Sequence, residues 1–552
     1  MKTKLFLLAA LIIMAALIFG GCPNRARDPD TLIIATQGGP RSLDPSETND
    51  SASAEIMVQI YDTLFTLNFD TLEPIPYLAE SFTFEADENG NLTMLRLVLR
   101  QGVLFHNGDE LKASDVKFTL DRAMVSPHID HIAGQIIGTE VIADYEVLVT
   151  MKTPFIPILN NLAHTALSIV NERAVTEKGK AYGQNPVGTG AMKFKKWVVG
   201  NRIELTRWDE YWGEAPRIKN IIVRYIADDA TRIIELETGG VDITDVPPQN
   251  ISKVEANPDL IMLKRRGLSM SYIGFNTEKP PFDDLRVRQA IIHALDMDTM
   301  VKNVLMGYGI PASGPLSSVV WASAANVLPK QEYNPALARQ LLAEAGFPDG
   351  FSATVVTNEN IQRVDTAQIM QSMLAEVGID LKINILEWAA YLNLLDRGDM
   401  EMFILGWVTV TGDPDYGLEI FHSRGKGQGG NNTRFDNPEV DELLDNARQE
   451  TDITKRYEMY IEAQRLIHAG SPIIYMNEGQ SHMATRSNVR GFEINPAGHH
   501  HFWKVWFEDD DGKINIKECC KDKEKTDKQD CDKNCDECEN PCEFGIGRSI
   551  EN

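Results

Sequence analysis

Between Cys22 and Cys519 the chain has no cysteine. No disulfide or thiolate metal site can staple that stretch, so roughly 500 residues must be held by an apolar core of their own. Basic charge is also short: 54 Lys and Arg face 80 Asp and Glu, for a net charge of −26. A nucleic-acid partner wants a basic surface, and an anionic membrane face would repel this one, so neither is expected as the ligand. After the first 20 residues no apolar run reaches the roughly 18 residues that span a bilayer. There is no His-Glu-x-x-His, no Gly-x-Ser-x-Gly and no Walker-type phosphate loop, and Gly188-Thr189-Gly190 is too short for a dinucleotide fingerprint. Catalysis is therefore not expected, and no cofactor is expected. No repeat of 20–50 residues appears, which removes solenoids.

The chain begins with a positive start, Lys2 and Lys4, followed by an apolar run from Leu5 to Phe19 and then Gly20-Gly21-Cys22. That pattern reads as an export signal over residues 1–21 rather than a span. Small residues before a cysteine resemble a bacterial lipobox, in which Cys22 is acylated and becomes the mature N-terminus; the alternative is an ordinary secretory signal that ends near a cysteine. On the lipoprotein reading the protein works outside the cytoplasm, anchored to the cell membrane on its periplasmic face or at the cell surface.

The remaining cysteines, Cys519, Cys520, Cys531, Cys535, Cys538 and Cys542, sit among Lys, Asp, Glu and Asn. Residues 509–552 thus form an acidic appendage that cannot build a core. Six exported thiols favour three disulfides, in any of fifteen connectivities. Metal remains open, since Cys535-x-x-Cys538 flanked by Cys531 and Cys542 has zinc-like spacing; free thiols remain open too. A metal-handling role through this tail, with His499-His500-His501 as a further soft-ligand candidate, is the rival from a different class.

Between Thr31 and Trp506 short β-rich runs alternate with amphipathic helices, an α/β pattern. Strands are expected at Thr31–Thr36, Leu92–Leu99, Ile203–Trp208, Phe351–Thr357 and Leu381–Leu386. Val287, Ala290, Ile291, Ala294 and Leu295 share one helical face. Asn334-Pro335 opens a helix that Gly346 closes, Asn437-Pro438 opens another, and further helices are expected at 363–377 and 452–468.

Five blocks in order resemble the family 5 extracellular solute-binding proteins, the dipeptide, oligopeptide and nickel binders of ABC importers. They are Leu78–Ser81 with Leu99–Gly108 and Ala113–Phe118; Asn185–Gly190 with Tyr211-Trp212-Gly213; Gly274–Thr277 with Pro280–Ala290; Gly406-Trp407 with Gly412–Asp415; and Asn495-Pro496 with His500-His501-Phe502. Within them the glycines and prolines read as turns and close approaches, Asp115 as a helix cap, and His106 and His500 as satisfied interior residues. The resemblance implies a two-lobed clamp with an extra small domain. Lobe one would comprise 31–60, 186–268 and 483–508; the extra domain, 61–185; lobe two, 269–482. It further implies a monomeric subunit that captures a di- or oligopeptide by hinge closure and hands it to permease subunits.

Trp388 and Trp407 are expected just past apolar strands, where open α/β sheets place ligands, as flat walls of the site. Arg363 would clamp a ligand carboxylate, and Asn431 is similar to a family asparagine near the pocket. Peptide-binding relatives carry an aspartate three residues after the Gly-Trp tryptophan, pairing with the ligand's α-ammonium; here that position is Val410. Asp413 and Asp415 lie close by as substitutes if the loop is shifted, Asp413 being the nearer. Without one, an oligosaccharide, an opine, nickel or a metal chelate becomes the alternative ligand.

Overall fold

The computed structural model describes residues 30–508 apart from 49, 428 and 429. Cys22 and the cysteine-rich tail therefore lie outside the described residues. Of the described residues, 30–506 belong to one compact unit.

This unit is organised by one sheet of eleven strands. In chain order its main strands are β1 (Thr31–Thr36), β2 (Met192–Val198), β3 (Arg202–Arg207), β4 (Asn220–Tyr225), β5 (Ile243–Asp245), β6 (Leu260–Phe275), β7 (Ser352–Asn358), β8 (Asp380–Leu386), β9 (Met402–Val408) and β10 (Ile473–Arg486). They lie in the order β8-β7-β9-β6-β10-β5-β1-β4-β3-β2, with the short strand Ile310–Pro311 attached to β10. β1 runs parallel to both β4 and β5. Its sequence, Thr-Leu-Ile-Ile-Ala-Thr, has buried residues on both faces, as a central parallel strand requires. β7 runs parallel to β8 and β9.

Two long strands tie the halves of this sheet together. Leu260–Arg266 of β6 pairs with Gln480–Arg486 of β10, and Met270–Gly274 pairs with Ile473–Glu478. The register shifts between Arg266 and Met270, opposite Gly479. The crossing is tight: a Cβ on Gly479 would lie 1.8 Å from Ser269 Oγ and force that hydroxyl to turn away.

The expected helices form with their caps. Asn334 Oδ1 accepts from the Leu337 amide at the start of Pro335–Glu344, and Asn437 and Asp452 cap Pro438–Gln449 and Ile453–Gly470. Helix Ile361–Ala375 begins at residue 361, two residues earlier than expected, because Asn360 caps it. The helix Leu285–Ala294 buries Val287, Ala290, Ile291 and Ala294 against Phe275, Val355 and Ile404 of the sheet. A second core, with Tyr272, Phe403, Phe421 and Tyr460, fills the other face of the same half.

A separate antiparallel sheet of four strands lies between residues 79 and 151. Met94–Leu99 alternates there in burial, as its sequence predicted. Asp115 Oδ2 accepts from the Lys112 amide and Oδ1 from the Glu172 amide, so it caps the helix Ala113–Met124. His106 is 3% exposed, its Nε2 lies 2.8 Å from the Gly190 carbonyl, and burial pulls its pKa down to about 4. A Cβ on Gly188 would meet the Ile60 carbonyl at 2.1 Å, so this turn packs backbone on backbone.

Candidate functional site

The change of register in β6 and β10 opens onto a cleft. One cavity there, about 480 Å³, is lined by Ser269, Ser271 and Asn477 of the crossing strands, by Asp245 from one half and by Tyr308 and Gln362 from the other. A neighbouring cavity of about 310 Å³ shares Asp245, Met483, Gly498 and His500 with it. Glu55 orients His500: its carboxylate lies 2.9 Å from Nδ1 and accepts from the His500 amide at 2.8 Å. Nε2 has no hydrogen-bond partner among the described residues. The carboxylate thus fixes the orientation of the ring beside the cleft.

The parallel strands β7, β8 and β9 end at the next part of the site, where open α/β sheets gather ligand-binding side chains. Arg363 stands in the first turn of the helix after β7. Its Nη1 donates to Asn358 Oδ1 at 2.9 Å, and its guanidinium carbon lies 5.6 Å from the centre of the Trp388 ring. A side-chain carbon on Gly406 of β9 would lie 3.9 Å from Nη2. The half-buried Arg363 has no carboxylate partner among the described residues, and burial lowers its pKa. Trp388, 36% exposed, opens the helix after β8 and leans on Tyr391. The structure thus brings Arg363, Trp388 and Gly406 together.

Three expected site residues are placed otherwise. Trp407 lies inside β9, paired with Met270, rather than past its end. Its ring stacks on Tyr416 at 5.5 Å, its Nε1 donates to the Tyr416 carbonyl, and it packs on the core that includes Leu418 and Phe421. Asp413 is not a free ammonium partner. It is 2% exposed, both carboxylate oxygens accept from Arg456 Nη2 at 2.8 and 2.9 Å, and Oδ1 also caps the helix Pro414–Leu418. Asn431 is fully buried; its amide donates to the carbonyls of His422 and Phe435 and accepts from Thr433 Oγ1. It locks the loop whose Gly430 backs the Trp407 ring.

Val410, just beyond β9, lines a smaller cavity of about 70 Å³ together with Asp62, Tyr61, Tyr77, His164 and Trp503. The segment 495–503 walls it off: Asn495, Ala497, His499, His501 and Trp503 line this cavity, while Gly498, His500 and Phe502 line the 310 Å³ one. Sequence reasoning missed Asp62 and the role of Glu55. Both sit on or just after the helix Ser51–Ile60, whose composition carries no mark of a site. The alternation from 495 to 503 was the available signal for the wall.

The model of the bacterial extracellular solute-binding proteins, family 5 middle region, matches residues 73–429. The chain belongs to this family. It is 32% identical to the glutathione-binding protein GsiB of Pectobacterium atrosepticum, over 84% of this chain and 91% of that one. It is 28% identical to the dipeptide-binding protein of Escherichia coli, over 87% and 95%. The Helicobacter pylori periplasmic binding protein DppA, solved with the peptide STSA, superposes with a TM-score of 0.78 at 29% identity, covering 87% of this chain and 98% of that one. As a family 5 member the protein is an extracytoplasmic solute-binding component of an ABC importer and not an enzyme, and its fold is the α/β periplasmic-binding-protein clamp.

Proposed function

We propose that this chain captures short peptides and hands them to the permease of its importer, held to the membrane by acylation of Cys22. The observation that carries the peptide reading is Arg363, a half-buried guanidinium with an amide and an indole beside it and no carboxylate partner among the described residues. Keeping a desolvated cation unpaired costs several kcal/mol, and a ligand carboxylate, taken bidentately, offsets that cost. Trp388 beside it offers a flat, stiff wall that tolerates varied side chains. Glutathione, dipeptides and STSA, named for three relatives, are all short peptides, which supports the same class here.

The crossing of β6 and β10 at Gly267–Ser269 and Gly479 supports reading the two halves of the sheet as lobes that close by rotation. On this reading lobe one is 31–60 with 186–268 and 483–508, lobe two is 269–482, and 61–185 is the extra domain beside lobe one.

Titrating trialanine into the protein while following indole fluorescence tests the reading, with micromolar or tighter binding expected. Mass spectrometry of what co-purifies identifies the natural ligand; a sugar, an opine or a metal chelate there, with no response to peptide, refutes it. Cys22→Ser should move the protein into the soluble fraction. Unchanged membrane association would remove the anchor.

A further inference from the structure

Asp62 is the buried carboxylate that the reading so far leaves unused. It is 6% exposed and follows directly on the helix Ser51–Ile60. Its partners are neutral: Trp212 Nε1 and Thr189 Oγ1 each donate to Oδ2 at 2.9 Å, and the Tyr211 hydroxyl stands 3.5 Å from Oδ1. The Tyr77 hydroxyl lies 2.6 Å from that of Tyr211. No Lys or Arg pairs with Asp62 among the described residues, although it lines the cavity beside Val410. Burial, against these hydrogen bonds, raises its carboxyl pKa to about 6. Three weak donors hold the carboxylate in place without neutralising it, and a buried charge in that condition is stabilised most by a cation.

The surroundings suit one. Tyr77 and Trp212 meet edge to face at 4.9 Å, and Tyr211 meets Trp503 at 5.7 Å, so aromatic rings gather around the carboxylate. Rings hold an ammonium by their quadrupoles without needing a further anion. At about 70 Å³ the cavity admits a head group and not a whole peptide. Arg100 lies over the Trp212 ring at 5.3 Å and donates to the Tyr77 carbonyl without pairing with Asp62, and Lys504 is exposed, with its ammonium over Phe69 and Trp503 at 5.9 and 5.4 Å.

The placement also matches Arg363. Gly406 adjoins that guanidinium and Val410 lines the Asp62 cavity, and four residues of chain separate their Cα atoms by no more than about 14 Å. A peptide of two to four extended residues covers such a span.

The geometry points to a primary-ammonium subsite formed by Asp62 and the rings of Tyr77 and Trp503 that line the same cavity, with Tyr211 and Trp212 holding the carboxylate, filled by the ligand's amino group. It rests on the peptide reading above and deepens it. Asp62 then does from the first residues of the extra domain what Val410 cannot do from lobe two.

The test titrates trialanine, N-acetyl-trialanine and N-acetyl-Lys-Ala-Ala into the full-length protein and its Asp62→Asn variant. Wild type should bind trialanine about 30-fold or more tightly than the acetylated form, the scale of a broken buried charge pair. Asp62→Asn should abolish that preference and leave N-acetyl-trialanine binding as it was. Tight binding of N-acetyl-Lys-Ala-Ala, lost in the variant, would assign the subsite to a side-chain ammonium instead of the α-amino group. Equal binding of trialanine and its acetylated form by wild type overturns the subsite while leaving the peptide reading intact, and this arm decides even if the variant fails to fold. Binding of no peptide overturns both.

Discussion

Replacing Arg363 by methionine separates a ligand-binding arginine from a structural one. The side chain makes one hydrogen bond, to Asn358, lies over Trp388 and has no carboxylate partner among the described residues. Removing it deletes a desolvated charge and keeps most of the apolar stem, so folding should lose little. The ordinary hydrogen bond contributes about 1 kcal/mol and the half-buried cation–ring contact about 0.5–2 kcal/mol, while the relieved desolvation works in the opposite direction. The melting temperature of Arg363→Met should therefore stay within a few degrees of wild type. Binding should behave differently. If the guanidinium takes the peptide carboxylate, the loss should be about 2–5 kcal/mol, or 30-fold to several thousandfold in Kd. C-terminally amidated trialanine, which lacks that carboxylate, should bind wild type weakly and lose little more in the variant. Calorimetric titration of both peptides into both proteins, with melting curves alongside, reads all of this. Unchanged trialanine affinity in Arg363→Met would refute the reasoning, and so would a melting temperature lowered by ten degrees, since the arginine would then be holding the fold.

Asp413→Asn should act on stability. It leaves Arg456 buried without its carboxylate, so urea denaturation should show a loss of about 3–5 kcal/mol whether or not peptide is present. Asp62 predicts a pH effect. Its carboxyl is raised from 3.8 to about 6 by burial, so between these values the folded state binds more protons than the unfolded one and stability falls as pH rises. The groups facing it, Tyr77, Tyr211, Trp212 and Thr189, stay neutral there, while His164, His499 and His501 line the same cavity and burial holds the last at about 3. Asp415, whose carboxyl burial raises against the pull of Arg448, is present in wild type and Asp62→Asn alike. The difference between the two melting-temperature profiles from pH 4 to 7 should thus grow by an amount equivalent to about 2 kcal/mol, and parallel profiles would refute it. Trialanine affinity should also fall below about pH 6 in wild type, as the carboxylate that meets the ammonium is protonated.

Much of the fold was legible in the chain. Period-two alternation at Met94–Leu99, the doubly buried run Thr31–Thr36 and the caps Asn334, Asn437 and Asp452 are local signals, set by neighbours a few residues away. Five blocks in order were enough to indicate the family, and the expectation that placed Trp388 just past a strand and Arg363 near a helix entrance agrees with where the structure puts them. What the sequence could not decide was which polar groups consume one another. Asp413 and Arg456 are 43 residues apart, as are no neighbours in a motif, yet their pairing removes Asp413 as a ligand group. Trp407 reads like an exposed platform until Tyr416 and the Gly430 loop close on it. Asp62 looks like an ordinary helix-end acid until Thr189, Tyr211 and Trp212 arrive from more than a hundred residues away and Val410 leaves the facing wall apolar. Local structure follows from short-range sterics and hydrogen bonding written in adjacent residues. The balance of buried charge depends on long-range contacts, and only the tertiary structure assembles those.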